Sequence, residues 1–292
     1  GGLDGQTFFI QSCGEEEVFI ENTSFDEDEI FDYHWLFYNP DGSLLNEQRG
    51  GDAFRDITVR FPGVGDYTGT MILNEGTECS DTADFMVSLF PAIFADFEFE
   101  YDTCVASDVM FIDSSRTGAS SGIIEWDWDF ADGTFSALEN PSHEFRDPGI
   151  RDVILTVRDS NDCEDSMVKE VDWRPVPTTL IIEPSSFVGC NPAEIFFNNL
   201  SAPIDSTYDI VWDFGDGNIS NDISPVHVYE EPGSYDVSLE ITSPLNCSTS
   251  RDFDSWITIL EGAEAQFTCS PDEPNVFRNT VQFTDMSERA GA

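Results

Sequence analysis

Positive charge is what this sequence has least of. Of its 292 residues only 12 are lysine or arginine against 58 aspartate or glutamate, a formal charge of -46, and Lys169 is the sole lysine. A surface of that sign repels nucleic-acid phosphates and anionic lipid headgroups, which removes nucleic acid from the partners. Long apolar runs are missing too: none approaches the roughly 20 residues that span a bilayer, so this segment does not insert directly into a membrane. Histidine is scarce, at three residues. HExxH, Gly-x-Ser-x-Gly and phosphate-cradling glycine loops are absent, as are CxxC pairs and Cys/His clusters. Without those constellations the chain reads as no enzyme and no zinc protein.

Apolar residues are plentiful. Forty per cent of the chain is hydrophobic and 25 residues are phenylalanine, ample to build cores and contrary to disorder. The length suits two to three domains. The acidic surface suits high salt or abundant divalent cations, which screen self-repulsion between neighbouring domains. The chain begins without methionine at Gly1 and stops inside a repeat at Ala292, so it reads as a segment of something longer.

The organising feature is a repeat. Trp212-Asp-Phe-Gly-Asp-Gly217 has a near copy at Trp128-Asp-Phe-Ala-Asp-Gly133, and Trp128–Cys163 aligns without a gap onto Trp212–Cys247. The alignment matches Pro141 with Pro225, His143 with His227, Gly149 with Gly233 and Leu155 with Leu239. A period of more than eighty residues means an array of whole domains, not a solenoid. Two further regions join it. In the divergent first repeat, Trp35-Leu-Phe-Tyr-Asn-Pro-Asp-Gly42 stands for the motif, and Gly65 precedes Cys79 by the interval that separates Gly149 from Cys163 and Gly233 from Cys247. A fourth repeat opens at Ala263-Glu-Ala-Gln-Phe-Thr-Cys269. The domains are then 1–91, 92–177, 178–262 and the truncated 263–292.

Within each repeat short alternating strands are bounded by Gly, Pro, Asn and Asp. Val109-Met-Phe-Ile-Asp-Ser-Ser115, Arg151-Asp-Val-Ile-Leu-Thr-Val157 and Tyr235-Asp-Val-Ser-Leu-Glu-Ile241 keep period two, and Asp-Gly pairs supply turns. Trp35, Trp128 and Trp212 are expected core anchors, since an indole spans much of a sandwich interior. The expected fold class is all-β: tandem immunoglobulin-like β-sandwich domains in a head-to-tail array.

Trp212–Gly217, Pro225-Val-His227-Val-Tyr229 and Gly233-Ser-Tyr235-Asp-Val237-Ser-Leu239 together resemble the PKD (polycystic kidney disease) domain family. The second repeat departs with Ala131 and Phe145, the first more widely. Acidic tandem PKD-like domains carrying cysteines resemble, further, the repeat arrays of large secreted surface proteins of Bacteroidetes. That resemblance implies a structural segment at the cell surface: a stalk, fibre or filament supporting adhesion. Its partners would be the neighbouring domains of the same chain and sister chains in homo-oligomeric or filament contacts, with exposed edge strands as the contact. The alternative is an accessory binding module of a secreted hydrolase, which touches polysaccharide or protein. That reading needs exposed aromatics, for which Trp126, Trp173 and Trp256 are the candidates; Trp173 and Trp256 also suit packing at junctions.

Seven cysteines at regular places indicate an oxidising, extracellular compartment. Pairing within a domain, such as Cys104 with Cys163, conflicts with the fold. The first-strand cysteine belongs at one pole and the cysteine before the last strand at the other, too far apart for a bond that needs Cα atoms within about 7 Å. The topology therefore favours the interdomain pairs Cys13–Cys163 and Cys104–Cys247, with the partners of Cys79, Cys190 and Cys269 outside the segment. Intradomain pairing would instead leave independent beads on short linkers such as Arg174-Pro-Val-Pro-Thr178.

Asp127, Asp129 and Asp132 form a candidate calcium set, because hard cations want clustered carboxylates. No cofactor is required, and the third repeat has Val211 where the second has Asp127. The junctions and the acidic stretch from Glu15 to Glu29 are alternative calcium sites, or simply solvated surface. His143 and His227 are expected to fix a strand corner. Thr82 in Asp81-Thr-Ala83 and Ser166 in Asp165-Ser-Met167 resemble the short O-glycosylation acceptor of Bacteroidetes envelope proteins. Asn22, Asn199, Asn218 and Asn246 are N-glycosylation sequons for a host with that pathway.

Overall fold

The computed structural model describes residues 8–21, 30–263, 265–270 and 280–287. Asn22 and the acidic residues of 25–29 lie outside them. The fold is all-β, with tandem immunoglobulin-like sandwiches; the helical element among the described residues is one 3-10 turn, Asp52–Phe54, inside an insertion that lengthens the first repeat between Trp35 and Gly65. The chain forms two compact units. One comprises Gly1–Glu100, Met110–His143 and Arg151–Val171, the other Tyr101–Val109, Glu144–Ile150 and Asp172–Ala292.

In the first unit, the first sandwich has a five-stranded sheet in the order Phe8–Cys13, Asp81–Phe90, Gly65–Leu73, Tyr33–Tyr38, Leu44–Gly50, and a pair, Glu17–Ile20 with Ile57–Arg60. Alternation decides which face closes: Val18, Ile20, Ile57 and Val59 are buried while Glu17, Phe19, Thr58 and Arg60 are exposed. The buried set packs on Trp35, Phe37, Phe85 and Val87. Burying one indole contributes roughly 5 kcal/mol gross at about 25 cal/mol per Å², before the conformational entropy it offsets. Phe8–Cys13 runs parallel to Asp81–Phe90, placing Cys13 opposite Phe90, the last residue of the domain's last strand.

In the second repeat, Ile123–Asp129 pairs with Phe135–Ser136 and with Gly149–Asp159. Trp128 is fully buried there among Phe97 and Phe111, at 5.1 and 5.4 Å between ring centroids. Lys169 ties the last strand to the start of the repeat: its ammonium meets the Asp96 carboxylate at 2.8 Å, donates to the Phe97 carbonyl and lies over the Phe97 ring.

The second unit holds the third sandwich. Its five-stranded sheet runs Val188–Cys190, Ser248–Leu260, Gly233–Thr242, Asp209–Asp213, Ile219–Ser220; its three-stranded sheet runs Ile182–Pro184, Ala193–Asn199, Val226–Tyr229. Trp212, Phe197, Phe214 and Tyr229 fill the core. At the entry to this sandwich Pro175, Val176 and Pro177 are buried. Val176 donates to the Cys104 carbonyl at 3.3 Å, and Tyr208 donates its hydroxyl to Pro175 at 2.8 Å. Of the fourth repeat, Phe267–Ser270 and Gln282–Asp285 pair antiparallel, and Phe267 and Phe283 are exposed.

Candidate functional site

The repeated motif builds one local device twice. The tryptophan is buried, and its indole N–H finds a carbonyl: Trp128 donates to Leu138 at 2.9 Å, Trp212 to Asp222 at 3.1 Å, and Trp35 to Phe54 in the inserted turn at 2.8 Å. The next Asp caps the chain two residues on, Asp129 accepting from Ala131 N–H and Asp213 from Gly215 N–H, both at 2.9 Å. The second Asp turns the chain at Asp-Gly: Asp132 accepts from the Thr134 amide and Asp216 from the Asn218 amide, both at 3.0 Å.

That second Asp then binds a histidine eleven residues on. His143 Nε2 lies 2.7 Å from Asp132 Oδ2, and His227 Nε2 lies 2.8 Å from Asp216 Oδ2. An ionised carboxylate can only accept, so Nε2 carries the proton. Each imidazole stacks flat on the motif phenylalanine, at 4.1 Å from Phe130 and from Phe214. Burial pushes the Asp132 and Asp216 carboxyls up, but hydrogen bonds from Thr134 and His143, and from His227 and Asn218, outweigh it and hold both below the usual carboxylate range. The histidines thus lock the turn onto the next strand.

The candidate calcium set is not assembled. Asp127 is exposed opposite Thr156, Asp129 is spent on Ala131, and Asp132 on Thr134 and His143. Among the described residues no group of three or more His, Cys, Asp or Glu is placed to hold a metal ion. The aromatic platform is not assembled either. Trp173 is 2% exposed with Phe145 at 5.9 Å, and Trp256 stacks on Phe253 at 4.0 Å against the core of its own sandwich rather than at a junction. Trp126 is half-buried and donates to Asp113 at 2.9 Å. Thr82 and Ser166 are both exposed on the last strands of their repeats. Among the sequons, Asn218 and Asn246 are exposed whereas Asn199 is buried.

The cysteines form a second repeated device. Cys13 is bonded to Cys163, with Cα atoms 5.7 Å apart, and Cys104 to Cys247, at 5.3 Å. Each bond joins one repeat to the next, and each lies inside one compact unit. The turn that presents the second sulfur is built alike both times: Asp159 donates its amide to the Cys163 carbonyl and Ser243 its amide to the Cys247 carbonyl. Asp162 and Asn246 take the left-handed conformation beside them, at φ 59° and 62°. Asp159, fully buried, also accepts from Thr117, Asn161 and Cys163. Around the first bond the backbones close up, since a Cβ on Gly14 would stand 2.7 Å from Ala92 and one on Gly118 2.6 Å from Pro91. Cys79 and Cys190 are exposed, Cys269 is half-buried, and none of the three is bonded.

Fold and turns define a class, tandem immunoglobulin-like β-sandwich modules tied by disulfides. Within it, the sequence pattern of the PKD domain matches residues 94–174 and 177–257, more than half of the chain, and the chain belongs to the PKD domain family. It is 36% identical over 67 residues to Collagenase ColQ1 of Bacillus cereus (strain Q1), a stretch covering 22% of this chain and 7% of the collagenase, so it spans a small part of that relative. Solved structures that resemble it include the PKD1 domain of Vibrio anguillarum Epp, 24% identical with a TM-score of 0.26, covering 28% of this chain and 93% of that one. Another is the PKD1 domain of the Vibrio cholerae metalloprotease PrtV, 26% identical with a TM-score of 0.24, covering 26% and 90%. Among the described residues no helix is long and apolar enough to cross a membrane, which leaves spanning strands aside.

Proposed function

We propose that this chain is a structural segment of a large extracellular surface protein, a stapled stretch of stalk, fibre or filament that supports adhesion. One observation carries the reading: both steps from one repeat to the next, first to second and second to third, are closed by a disulfide. The buried linker at Pro175–Pro177 supports it further. Disulfides persist in oxidising compartments, which favours the outside of the cell. Staples of this kind resist extension. The shortest covalent path through both bonds bypasses most of the chain between Cys13 and Cys247, hiding roughly 60 nm of contour at about 3.6 Å per residue. Single-molecule pulling from the two ends tests this directly. Extension should fall short by about that length until a reductant is added; equal contour lengths with and without reductant sink the reading.

A second reading is an accessory module of a secreted hydrolase, favoured by the match to a collagenase and by the PKD1 domain of a metalloprotease. Pull-down on collagen and on insoluble polysaccharide separates the two, since saturable binding is expected only of the accessory module.

A further inference from the structure

The two disulfides share a layout and differ in charge. In each, the cysteine nearer the start of the chain, Cys13 or Cys104, is exposed, whereas the turn cysteine it binds, Cys163 or Cys247, is 0% or 5% exposed. A thiolate arriving from solvent therefore attacks the sulfur of Cys13 or Cys104 and expels the sulfur of the turn. That step sets negative charge on Cys163 in one bond and on Cys247 in the other. A sulfur leaves faster where its thiolate is better tolerated.

The two leaving sulfurs meet different surroundings. Asp159 is fully buried, and the Cys163 amide donates to its Oδ1 at 3.2 Å; its other donors, the Thr117 hydroxyl and the Asn161 amide, are neutral too, so its charge is not cancelled by an ion pair. Covalent geometry keeps the Cys163 sulfur within roughly 8 Å of that carboxylate. In the third repeat Ser243 stands in its place, 3% exposed, with the Cys247 amide 3.4 Å from its hydroxyl. Against the Cys247 sulfur lies the Thr103 carbonyl at 3.6 Å, a dipole where the first bond has a full charge. The exchange runs along the whole turn, since Asp162, Glu164 and Asp165 are answered by Asn246, Ser248 and Thr249. The attacked sulfurs do not separate the two bonds. Glu15 and Glu16 follow Cys13, and Asp102 accepts the Cys104 amide at 2.9 Å; all three are exposed, where water and salt screen them.

We propose that the buried carboxylate of Asp159 shields Cys13–Cys163 from thiols, so that the two staples yield in a fixed order, Cys104–Cys247 first. The inference rests on the stapled reading above and adds a sequence of release to it. The reductant is a small dithiol or two equivalents of a monothiol. Its thiolate bonds to the exposed sulfur, the S–S bond breaks, and the turn sulfur departs with the electron pair and takes a proton from water. A second thiolate then displaces the exposed cysteine from the mixed disulfide, leaving two cysteine thiols and the reductant oxidised to its disulfide. A unit charge at that range in a protein interior makes the leaving thiolate costlier by enough to slow release about tenfold.

The test alkylates Cys79, Cys190 and Cys269 on the whole folded chain, adds dithiothreitol, and quenches aliquots with an isotopically distinct alkylating reagent. Mass spectrometry then reads how fast Cys163 and Cys247 are released. Cys247 should appear about tenfold faster than Cys163, and the gap should persist from about 0.1 M to about 1 M salt, which screens the surface acids but not buried Asp159. Asp159→Asn, which keeps the size and an acceptor, should bring Cys163 to the rate of Cys247 and leave Cys247 unchanged. Ser243→Asp should slow Cys247 about tenfold, and it carries the test if Asp159→Asn loosens the second repeat. Equal rates in the native chain, faster release of Cys163, a gap that closes in high salt, or a gap unmoved by both variants overturns the proposal. Peptide mapping before reduction reads Cys13–Cys163 and Cys104–Cys247. With both present such a result touches this inference alone, whereas their absence removes the stapled reading as well.

Discussion

Replacing His227 by alanine tests whether the repeated Asp–His pair is a structural lock. In the third sandwich His227 gives its Nε2 proton to Asp216 at 2.8 Å, stacks on Phe214 at 4.1 Å and meets the Tyr229 ring edge-on at 4.6 Å. Both side chains of the pair are mostly covered, at 11% and 16% exposure. A hydrogen bond to a charged group contributes about 1.5–3 kcal/mol, and a ring contact about 0.5–1.5 kcal/mol. Asn218 remains on Asp216 after the change, and water reaches the pair, so the sum belongs at its lower end. We expect a loss of about 2–3 kcal/mol, or roughly 10–20 °C for a domain of this size. Because the chain has several domains, the assay is urea unfolding read by amide exchange on peptides from Asp209–Asp213 and Val226–Tyr229. His227→Gln, which keeps a donor but not the ring, should fall between wild type and alanine. Asp216 sets the pH dependence. Its folded-state value is depressed, so its stabilisation is complete above the unfolded value of about 3.9 and is lost as pH falls through the folded one. The gap between wild type and Asp216→Asn should be full at neutral pH and close below about pH 4. An alanine variant within about 0.5 kcal/mol of wild type, the ordinary range of surface changes, would refute the lock.

Two other predictions follow from the turns. Gly215→Ala should cost more than about 2 kcal/mol by thermal unfolding, because φ is +79° and the new Cβ would lie 2.2 Å from the Asp236 carbonyl; Ala131→Gly, which relieves a φ of 57° in the second repeat, should be neutral or stabilising. Asp159→Ala strips a fully buried acceptor from three donors and should cost about 2–4 kcal/mol of second-repeat stability by amide exchange. Asp159→Ser should be milder, since Ser243 does the same work in the third repeat.

Much of this architecture was legible because repetition separates signal from composition. The divergent motif of the first repeat places Trp35 with Trp128 and Trp212, and the structure buries all three. The Asp–His pair was also within reach, since Asp132 precedes His143 and Asp216 precedes His227 by the same interval, but carboxylates are so abundant here that no single partner stood out. The carboxylates of the calcium set point apart for a related reason. Period two puts Asp127 and Asp129 on one side of a strand, yet where a carboxylate turns depends on local amides, and those of Ala131 and Thr134 were nearer claimants. The covering of Trp173 and the part-burial of Trp256 were illegible because the rings beside them, Phe145 and Phe253, reach them only once the strands have paired. The burial of Pro175–Pro177 was hidden in the same way, since a Pro-rich stretch reads as a linker until Tyr208 and the Cys104 carbonyl close on it.

The most direct test of the stapled array is to digest the oxidised chain without reduction and identify its linked peptides by mass spectrometry. The account predicts Cys13 with Cys163 and Cys104 with Cys247. Cys104 with Cys163 and Cys190 with Cys247 would contradict it, leaving autonomous domains with nothing covalent between them.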